Sequence, residues 1–158
     1  MDAQIYNHMD GVDVVPENML GEIADIIDEY TPVIERNSVT KIKTDITDAL
    51  LLRGWSKEFR LDPTSRITVS SYLRGIGLCF QTGNYGRVYA DLLKLQTLFT
   101  KGKISAGIIL VPEKDLALRL GSNMANYEHF REKVEDFVLT NLKCRVYYTY
   151  QLEQNSRN

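Results

Sequence analysis

The hydrophobic and polar positions of the chain follow a helical period in some segments and a strand period in others. In PENMLGEIADIIDEY the apolar residues recur at the spacing of one helical face, and Pro16 stands where a helix naturally starts. RITVSSYL and GIGLCFQ are short runs rich in β-forming residues, and Arg74 and Gly75 form the turn between them. The pattern predicts a helix over residues 16–30 and an antiparallel hairpin over residues 66–81.

The other periodic segments complete the fold. TDITDALLLRG predicts a short helix over residues 45–53 with Thr44 as its N-cap, and YGRVYADLLKLQTLFTKG predicts a longer helix that stops at Gly102. The apolar stripe of the longer helix consists of Val88, Leu92, Leu95 and Phe99. The apolar run ISAGIILVP predicts a strand buried on both faces, NYEHFREKVEDFVL a further helix and CRVYYTYQ a last strand. This order predicts an α/β fold in which helices flank a mixed central β-sheet.

Length and composition limit the class of protein. A chain of 158 residues suits one domain, predicted over residues 1–150 and followed by a polar tail at 151–158. No apolar run has the length of about 18 residues that a membrane span needs, and the N-terminus is acidic, so we expect a cytoplasmic protein without membrane contact. Cys79 and Cys144 lie in apolar, strand-like segments, which favours reduced, buried thiols.

The charges are unevenly distributed along the chain. Residues 1–35 carry nine acids and no Lys or Arg, whereas residues 36–103 carry twelve Lys or Arg against five acids. A basic middle segment is typical of a protein that presents one face to a phosphate backbone, and also of ordinary solvated helix faces. Asp45 and Asp48 fall in the first turn of a predicted helix, where the dipole stabilises carboxylates without any metal.

Motifs of common enzyme classes are missing from the sequence, but four segments together resemble one family. The chain has no Gly-rich phosphate loop with its Lys, no nucleophile elbow and no paired His. The four segments are similar, in the same order, to segments of type II restriction endonucleases of the BglII and BstYI kind. They are IYNHMDGVDVVPENMLGEIADII, LLLRGWSKE, SSYLRGIGLCFQTGNYGRVYADLLKLQ with GKISAGIILVP, and GSNMANYEHF. These enzymes are a branch of the PD-(D/E)xK nucleases. The resemblance implies a restriction-endonuclease-like fold.

The same resemblance implies a metal site that has lost its acids. In the family, an Asp and a Glu on the two hairpin strands hold a magnesium ion, and a Gln follows the Glu at the next position but one. The matching positions here are Ser70, Cys79 and Gln81. Magnesium needs hard oxygen ligands and negative charge, which a hydroxyl and a thiol do not supply. The resemblance therefore implies a degenerate site that needs no cofactor, or magnesium if other acids have replaced the lost ones.

Other acids are candidates for that replacement. Asp91 and Lys94 share one face of the helix that follows the hairpin, and in the wider superfamily a catalytic group can move to this helix. The spacing is more typical of an exposed pair beside a leucine stripe. Glu58 and Asp62, just before the hairpin, are candidates of the same standing.

The resemblance also implies DNA recognition. The family positions that reach base edges match Asn84, Ser122 and Asn123, and Asn suits bidentate contacts with adenine. Each of the three also suits a turn or a helix cap. Arg74 and Arg87 are candidates for phosphate contacts. The implied partners are double-stranded DNA, with a palindromic GATC-centred site, and a second copy of the chain in a homodimer.

Three hypotheses of function follow from the sequence. The first is a DNA-binding protein of restriction-endonuclease type whose metal site is inactive. The second is a working magnesium-dependent endonuclease that uses displaced acids. The third is a protein-interaction module that pairs with or inhibits an active relative, with its acidic N-terminal helix as the contact surface.

Overall fold

The chain folds into both helices and strands. The computed structural model describes residues 4–8, 11–30, 35, 38–134 and 144–148. The helices in these ranges are Gly11–Val14 (α1), Glu17–Glu29 (α2), Val39–Leu52 (α3), Tyr85–Thr100 (α4), Lys114–Leu120 (α5) and Tyr127–Val134 (α6). The strands are Gln4–His8 (β1), Phe59–Arg60 (β2), Thr68–Val69 (β3), Ser71–Leu73 (β4), Ile76–Phe80 (β5), Ala106–Val111 (β6) and Cys144–Tyr148 (β7). No helix within these ranges is long and apolar enough to cross a membrane.

Five of the strands form one mixed sheet in the order β1-β7-β6-β5-β4. The three central strands β5, β6 and β7 are parallel, and the edge strands β1 and β4 are antiparallel to their neighbours. Strands β2 and β3 form a separate two-stranded sheet. The predicted mixed α/β sheet is confirmed, and β6 is buried at every position, as its continuous apolar run predicts.

Side chains of β5 and β6 divide between two hydrophobic clusters on opposite faces of the sheet. On β5, Leu78 and Phe80 pack with α2 and α3, whereas Cys79 packs with α4. This division follows from the two-residue period of a strand, which turns alternate side chains to opposite faces. The sheet is therefore the middle layer between α2 and α3 on one face and α4 on the other.

The β4–β5 hairpin has the predicted two-residue turn. Arg74 and Gly75 have φ values of 46° and 84°, the left-handed conformation that such a turn requires at both central positions. Helix α4 ends as predicted before Gly102, whose φ of 65° lets the backbone N–H of Lys103 return to the Leu98 carbonyl oxygen at 2.9 Å. Leu98 is fully buried in the α4 stripe, and Phe99 packs half-buried at the edge of that stripe.

Helix α3 begins six residues earlier than the sequence predicts. Ile42, Ile46 and Leu50 form a buried stripe, and burial of Ile42 adds a turn that outweighs the local preference for a cap at Thr44. The Thr44 hydroxyl instead donates to the Thr40 carbonyl oxygen at 3.0 Å within the helix. The predicted cap at Thr44 is therefore wrong.

Asp45 and Asp48 consequently lie in the helix interior, so the prediction that they occupy its first turn is also wrong. Asp45 is stabilised by side chains: Lys41 Nζ lies 2.6 Å from its Oδ2, and the Tyr30 hydroxyl donates to the same oxygen at 2.8 Å. These hydrogen bonds, the one from Lys41 first, hold the pKa of Asp45 below its usual value.

Other predictions extend beyond the described residues. Helix α6 is described as far as Val134, and the predicted continuation of that helix and the tail at 151–158 lie outside the described ranges. The Cys79 side chain is buried, as expected. Cys144 begins β7, as expected for a strand segment, but its side chain is outside the described part of the structure.

Candidate DNA-binding and nuclease-like site

A polar cavity of about 510 Å³ lies between α3, α4 and the carboxyl end of β5. Its walls come from five parts of the chain that are distant in sequence. The lining residues are Lys43, Thr44, Thr47, Asp48, Lys57, Glu58, Thr68, Ser70, Phe80, Gln81, Arg87, Ala90, Asp91 and Lys94. Four of these side chains are cationic and three are acidic, so the cavity has a modest positive balance.

Helical spacing explains why α3 and α4 each give four side chains to the cavity. On α4, Arg87, Asp91 and Lys94 follow one another at intervals of four and three residues, which places them on one face. On α3, Lys43 and Thr47 form a stripe beside the buried isoleucines. Both polar stripes line the cavity, while the apolar faces of α3 and α4 belong to the two hydrophobic clusters.

Ser70 occupies a break in the predicted first strand of the hairpin. The run RITVSSYL forms two short strands, β3 and β4, with a bend at Ser70 between them. The Ser70 Oγ accepts a hydrogen bond from the Phe80 backbone N–H at 3.0 Å, in place of a backbone carbonyl. The bend turns the Ser70 side chain toward the cavity and ties it to the end of β5.

Asp91 is a buried carboxylate with both oxygens engaged. It is 5% exposed, the Gln81 Nε2 donates to its Oδ2 at 2.6 Å, and Lys94 Nζ lies 2.7 Å from its Oδ1. These charge-assisted bonds offset the cost of burying the carboxylate. The prediction of an exposed Asp91 and Lys94 pair is therefore wrong for Asp91, whereas the cavity does bring Asp91, Lys94, Gln81 and Ser70 together.

Cys79 lies apart from the cavity. Its side chain is 1% exposed in the hydrophobic cluster between β5 and α4, in the company of Val69, Val88 and Leu92. It is absent from the cavity lining, although Gln81, two residues further on the same strand face, is part of it.

The donor set does not fit a magnesium ion. At the family-matched positions the structure offers the Ser70 hydroxyl, the buried Cys79 thiol and the Gln81 side-chain oxygen, which already accepts from the Gly83 N–H at 2.7 Å. The Asp91 carboxylate oxygens already accept hydrogen bonds from Lys94 and Gln81. Among the described residues, no group of three or more His, Cys, Asp or Glu side chains has the arrangement of a metal site. Octahedral, charge-dependent magnesium binding needs a different set of ligands.

The residues predicted to read bases lie on two loops that meet at this end of the sheet. Asn84 is exposed and caps α4, because its Oδ1 accepts from the Arg87 N–H at 3.2 Å. Ser122 and Asn123 are exposed in the loop before α6, but neither caps that helix. The cap is Asn126, whose Oδ1 accepts from the His129 N–H at 3.1 Å.

The two predicted phosphate-binding arginines lie at opposite ends of β5. Arg87 lines the cavity beyond the carboxyl end of β5, whereas Arg74 is in the hairpin turn before its amino end. A strand of five residues separates these ends, which is roughly 17 Å. Of the two acid candidates before the hairpin, Glu58 lines the cavity, while Asp62 lies in the turn between β2 and β3, 3.8 Å from Lys101.

Sequence reasoning missed several polar side chains of the cavity. Lys43, Thr47 and Thr68 lie outside the family-like segments, and they reach the cavity because α3 and β3 are folded against β5 and α4. Lys57 lies within the segment LLLRGWSKE, but sequence reasoning assigned it no role. One signal was available for α3, since Lys43 and Thr47 are four residues apart and adjacent to the apolar stripe.

The fold and the cavity together define a restriction-endonuclease-like protein. Residues 3–147 match the family of restriction endonuclease BglII/BglIII, and the chain belongs to this family. The structure is similar to the crystal structure of restriction endonuclease BglII complexed with a DNA 16-mer, with a TM-score of 0.80 and 12% identity over 96% of this chain and 79% of that chain. It is also similar to free BglII, with a TM-score of 0.76 and 14% identity over 96% of this chain and 80% of that one. No curated protein sequence matches the chain significantly.

Proposed function

We propose that the chain binds double-stranded DNA as a restriction-endonuclease-like protein and does not cleave it. The observation that supports this proposal best is that both carboxylate oxygens of Asp91, the buried acid of the cavity, are hydrogen-bonded, one to Lys94 and one to Gln81. Ser70 and Cys79 stand where the family resemblance places the metal-binding carboxylates. A phosphodiester bond is therefore bound in a cavity that lacks carboxylates at positions 70 and 79, where the cleavage chemistry of the family requires them to hold the metal.

Support for DNA binding comes from the cavity charges and from the relative. The four cations of the cavity are Lys43, Lys57, Arg87 and Lys94. Cations on one face neutralise phosphates and release their counterions, which gives salt-dependent affinity. The relative BglII has been crystallised with a DNA 16-mer, and we infer the same class of ligand for this chain. By the same resemblance, the chain binds a palindromic, GATC-centred site as a homodimer.

Parallel binding and nicking assays test this proposal. Fluorescence anisotropy with duplex DNA at low salt is expected to show binding that weakens as salt rises. Supercoiled plasmid incubated with magnesium or manganese is expected to stay intact. Lack of binding at low salt would contradict the proposal and favour the protein-interaction module, with the acidic surface of α2 as its contact.

A second candidate, an endonuclease with displaced acids, is favoured by one observation. Asp91, Lys94, Gln81 and Ser70 line the same cavity as Glu58, so acids and a lysine lie together in the cavity that we propose for the phosphate. Nicking that Asp91→Ala abolishes would establish this activity and disprove the inactive site. Asp62→Ala is the matched control, because Asp62 is an acid outside the cavity.

A further inference from the structure

A continuous chain of hydrogen bonds runs from the cavity to the loop before α6. Lys94 Nζ donates to Asp91 Oδ1 at 2.7 Å, and Gln81 Nε2 donates to Asp91 Oδ2 at 2.6 Å. The Gly83 N–H donates to Gln81 Oε1 at 2.7 Å. The last bond joins the two loops, since the Ala125 N–H donates to the Gly83 carbonyl oxygen at 2.8 Å.

The middle of this chain is buried and has little room to rearrange. Gln81 is 8% exposed and Ala125 is fully buried. A Cβ atom at Gly83 would lie 2.6 Å from Arg87 Cδ and 2.8 Å from Gln81 Oε1, so the loop backbone approaches both side chains closely. Both polar ends of the Gln81 amide are used, one toward Asp91 and one toward Gly83.

The loops that this chain joins carry the exposed side chains assigned to base contacts. Asn84 directly follows Gly83, and Asn123 lies two residues before Ala125. A second contact holds the loops together, because Asn126 Nδ2 donates to the Tyr85 hydroxyl at 2.8 Å. The relative placement of Asn84 and Asn123 therefore depends on buried groups that themselves lie on the cavity side.

We propose that Gln81 and Asp91 are positioning residues that set the geometry of the base-reading loops. Asp91 orients the Gln81 amide, Gln81 fixes Gly83, and Gly83 fixes the loop that contains Asn123. This inference deepens the proposed DNA binding and rests on it for its consequence, which is discrimination among DNA sequences. It assigns the buried Gln81–Asp91 pair to specificity instead of cleavage.

Exchanging the amide and the carboxylate between positions 81 and 91 tests the inference, because the double variant keeps the net charge of the cavity. Gln81→Glu keeps the acceptor for Gly83 but places a second carboxylate against Asp91. Asp91→Asn leaves one amide that cannot accept well from both Gln81 and Lys94. The double variant Gln81→Glu with Asp91→Asn restores every bond, because the new amide at position 91 donates to the new carboxylate at position 81. Asp25→Asn is the control, the same acid-to-amide change as Asp91→Asn at an exposed position of α2 outside the chain of bonds.

The first readout is sequence discrimination, measured as the ratio of affinities for duplexes selected from a randomised library and for unselected duplexes. We expect each single variant to lower this ratio by about tenfold and the double variant to restore it, as for residues within one hydrogen-bond network. The two single variants change the cavity charge in opposite directions, so a purely electrostatic effect would move their affinities in opposite directions. A ratio that both single variants leave unchanged would overturn the inference.

The second readout needs no DNA and separates this inference from the proposed function. Backbone amide exchange of Gly83 and Ala125 in the full chain is expected to accelerate in both single variants and to recover in the double variant. The control Asp25→Asn is expected to exchange like the original protein. Unchanged exchange at Ala125 in the single variants would disprove the positioning role, whereas failure of the original protein to bind any duplex would disprove the proposed function alone.

Discussion

The Ser70 side chain and the Phe80 backbone N–H form a 3.0 Å hydrogen bond at the point where the β4–β5 hairpin meets the cavity. The hydroxyl replaces a backbone acceptor and holds the bend that separates β3 from β4. A carboxylate at the same position is also able to accept from this N–H. The bend is therefore compatible with the Asp that the family has at this position.

Restoring both family carboxylates is expected to create magnesium binding. Cys79→Glu alone is expected to lower the free energy of unfolding by roughly 3 kcal/mol, because it buries an unpaired carboxylate among apolar side chains. In Ser70→Asp with Cys79→Glu, magnesium is expected to raise the melting temperature, since an ion that binds only the folded state stabilises it. Calorimetry with and without magnesium measures this shift.

The neutral variant Ser70→Asn with Cys79→Gln is the control for shape at both positions. It is expected to show no response to magnesium. An equal response of the control and the carboxylate variant would rule out ion binding by the restored pair.

Charge reversal at Arg87 and at Arg74 tests whether DNA binds at the cavity or at the opposite end of β5. Arg87→Glu is expected to weaken DNA binding at all sequences by about tenfold and to reduce the salt dependence by about one counterion, because Arg87 lines the cavity. Arg74→Glu makes the same charge change in the distant hairpin turn and is expected to have a smaller effect. Salt titrations of binding give both slopes, and a larger loss for Arg74→Glu would place the DNA at the other end of the sheet.

Glu113 is expected to make stability depend on pH. Glu113 is 7% exposed at the start of α5, and its burial, followed by the nearby Glu128 and Asp115, raises its pKa above the ordinary value of 4.5. The folded state therefore binds this proton more tightly than the unfolded chain, and ionisation of Glu113 destabilises the fold. The penalty is full above the raised pKa and disappears as the pH falls below 4.5.

Glu113→Gln removes this penalty. It is expected to raise the free energy of unfolding at neutral pH by about 1 kcal/mol, with no advantage in acid. Urea unfolding across the pH range measures the difference, and Glu132→Gln, an exposed position on α6, is the control. A stabilisation that persists unchanged in acid would point to a cause other than ionisation of Glu113.

Two glycines are expected to respond in opposite directions to the same change. A Cβ atom at Gly107 on β6 would lie 2.9 Å from Leu95 Cδ1, so Gly107→Ala is expected to cost about 2 kcal/mol by overpacking β6 against α4. Gly21 lies in α2 with nothing within 4 Å of its added Cβ, and Gly21→Ala is expected to add about 1 kcal/mol through helix propensity. Thermal unfolding decides both signs.

The proposed homodimer is a prediction about mass in solution. Light scattering at tens of micromolar is expected to give about twice the 18.1 kDa of one chain, because a palindromic site is read by a two-fold protein. A clean monomer in the presence and absence of duplex DNA would contradict the homodimer.

Local sequence determined the elements whose signals are strong and complete in themselves. The apolar spacing of α2, the turn at Arg74 and Gly75, and the continuous apolar run of β6 each specify one structure through side-chain period or backbone dihedral. The family resemblance gave the positions of Ser70 and Gln81 at the hairpin, and the cavity includes both residues.

Tertiary structure decided everything that depends on partners distant in sequence. The early start of α3 comes from burial of Ile42 against α2 and the sheet, and the cap of α6 at Asn126 comes with its contact to Tyr85. Helix α5 is too short for its apolar residues to show a helical period in the sequence, and it forms where Leu116 and Leu120 cover the core. Strand β1 exists through its pairing with β7 near the other end of the chain.

The hydrogen bond between Gln81 and Asp91 also depends partly on local sequence and partly on tertiary structure. The sequence places the two residues on a strand and on the following helix, and their types allow an amide to donate to a carboxylate. It does not reveal that Asp91 turns inward, because helical spacing alone favours an exposed pair with Lys94. Packing of α4 on β5 buries the carboxylate, and a buried carboxylate must find donors, which Gln81 and Lys94 provide.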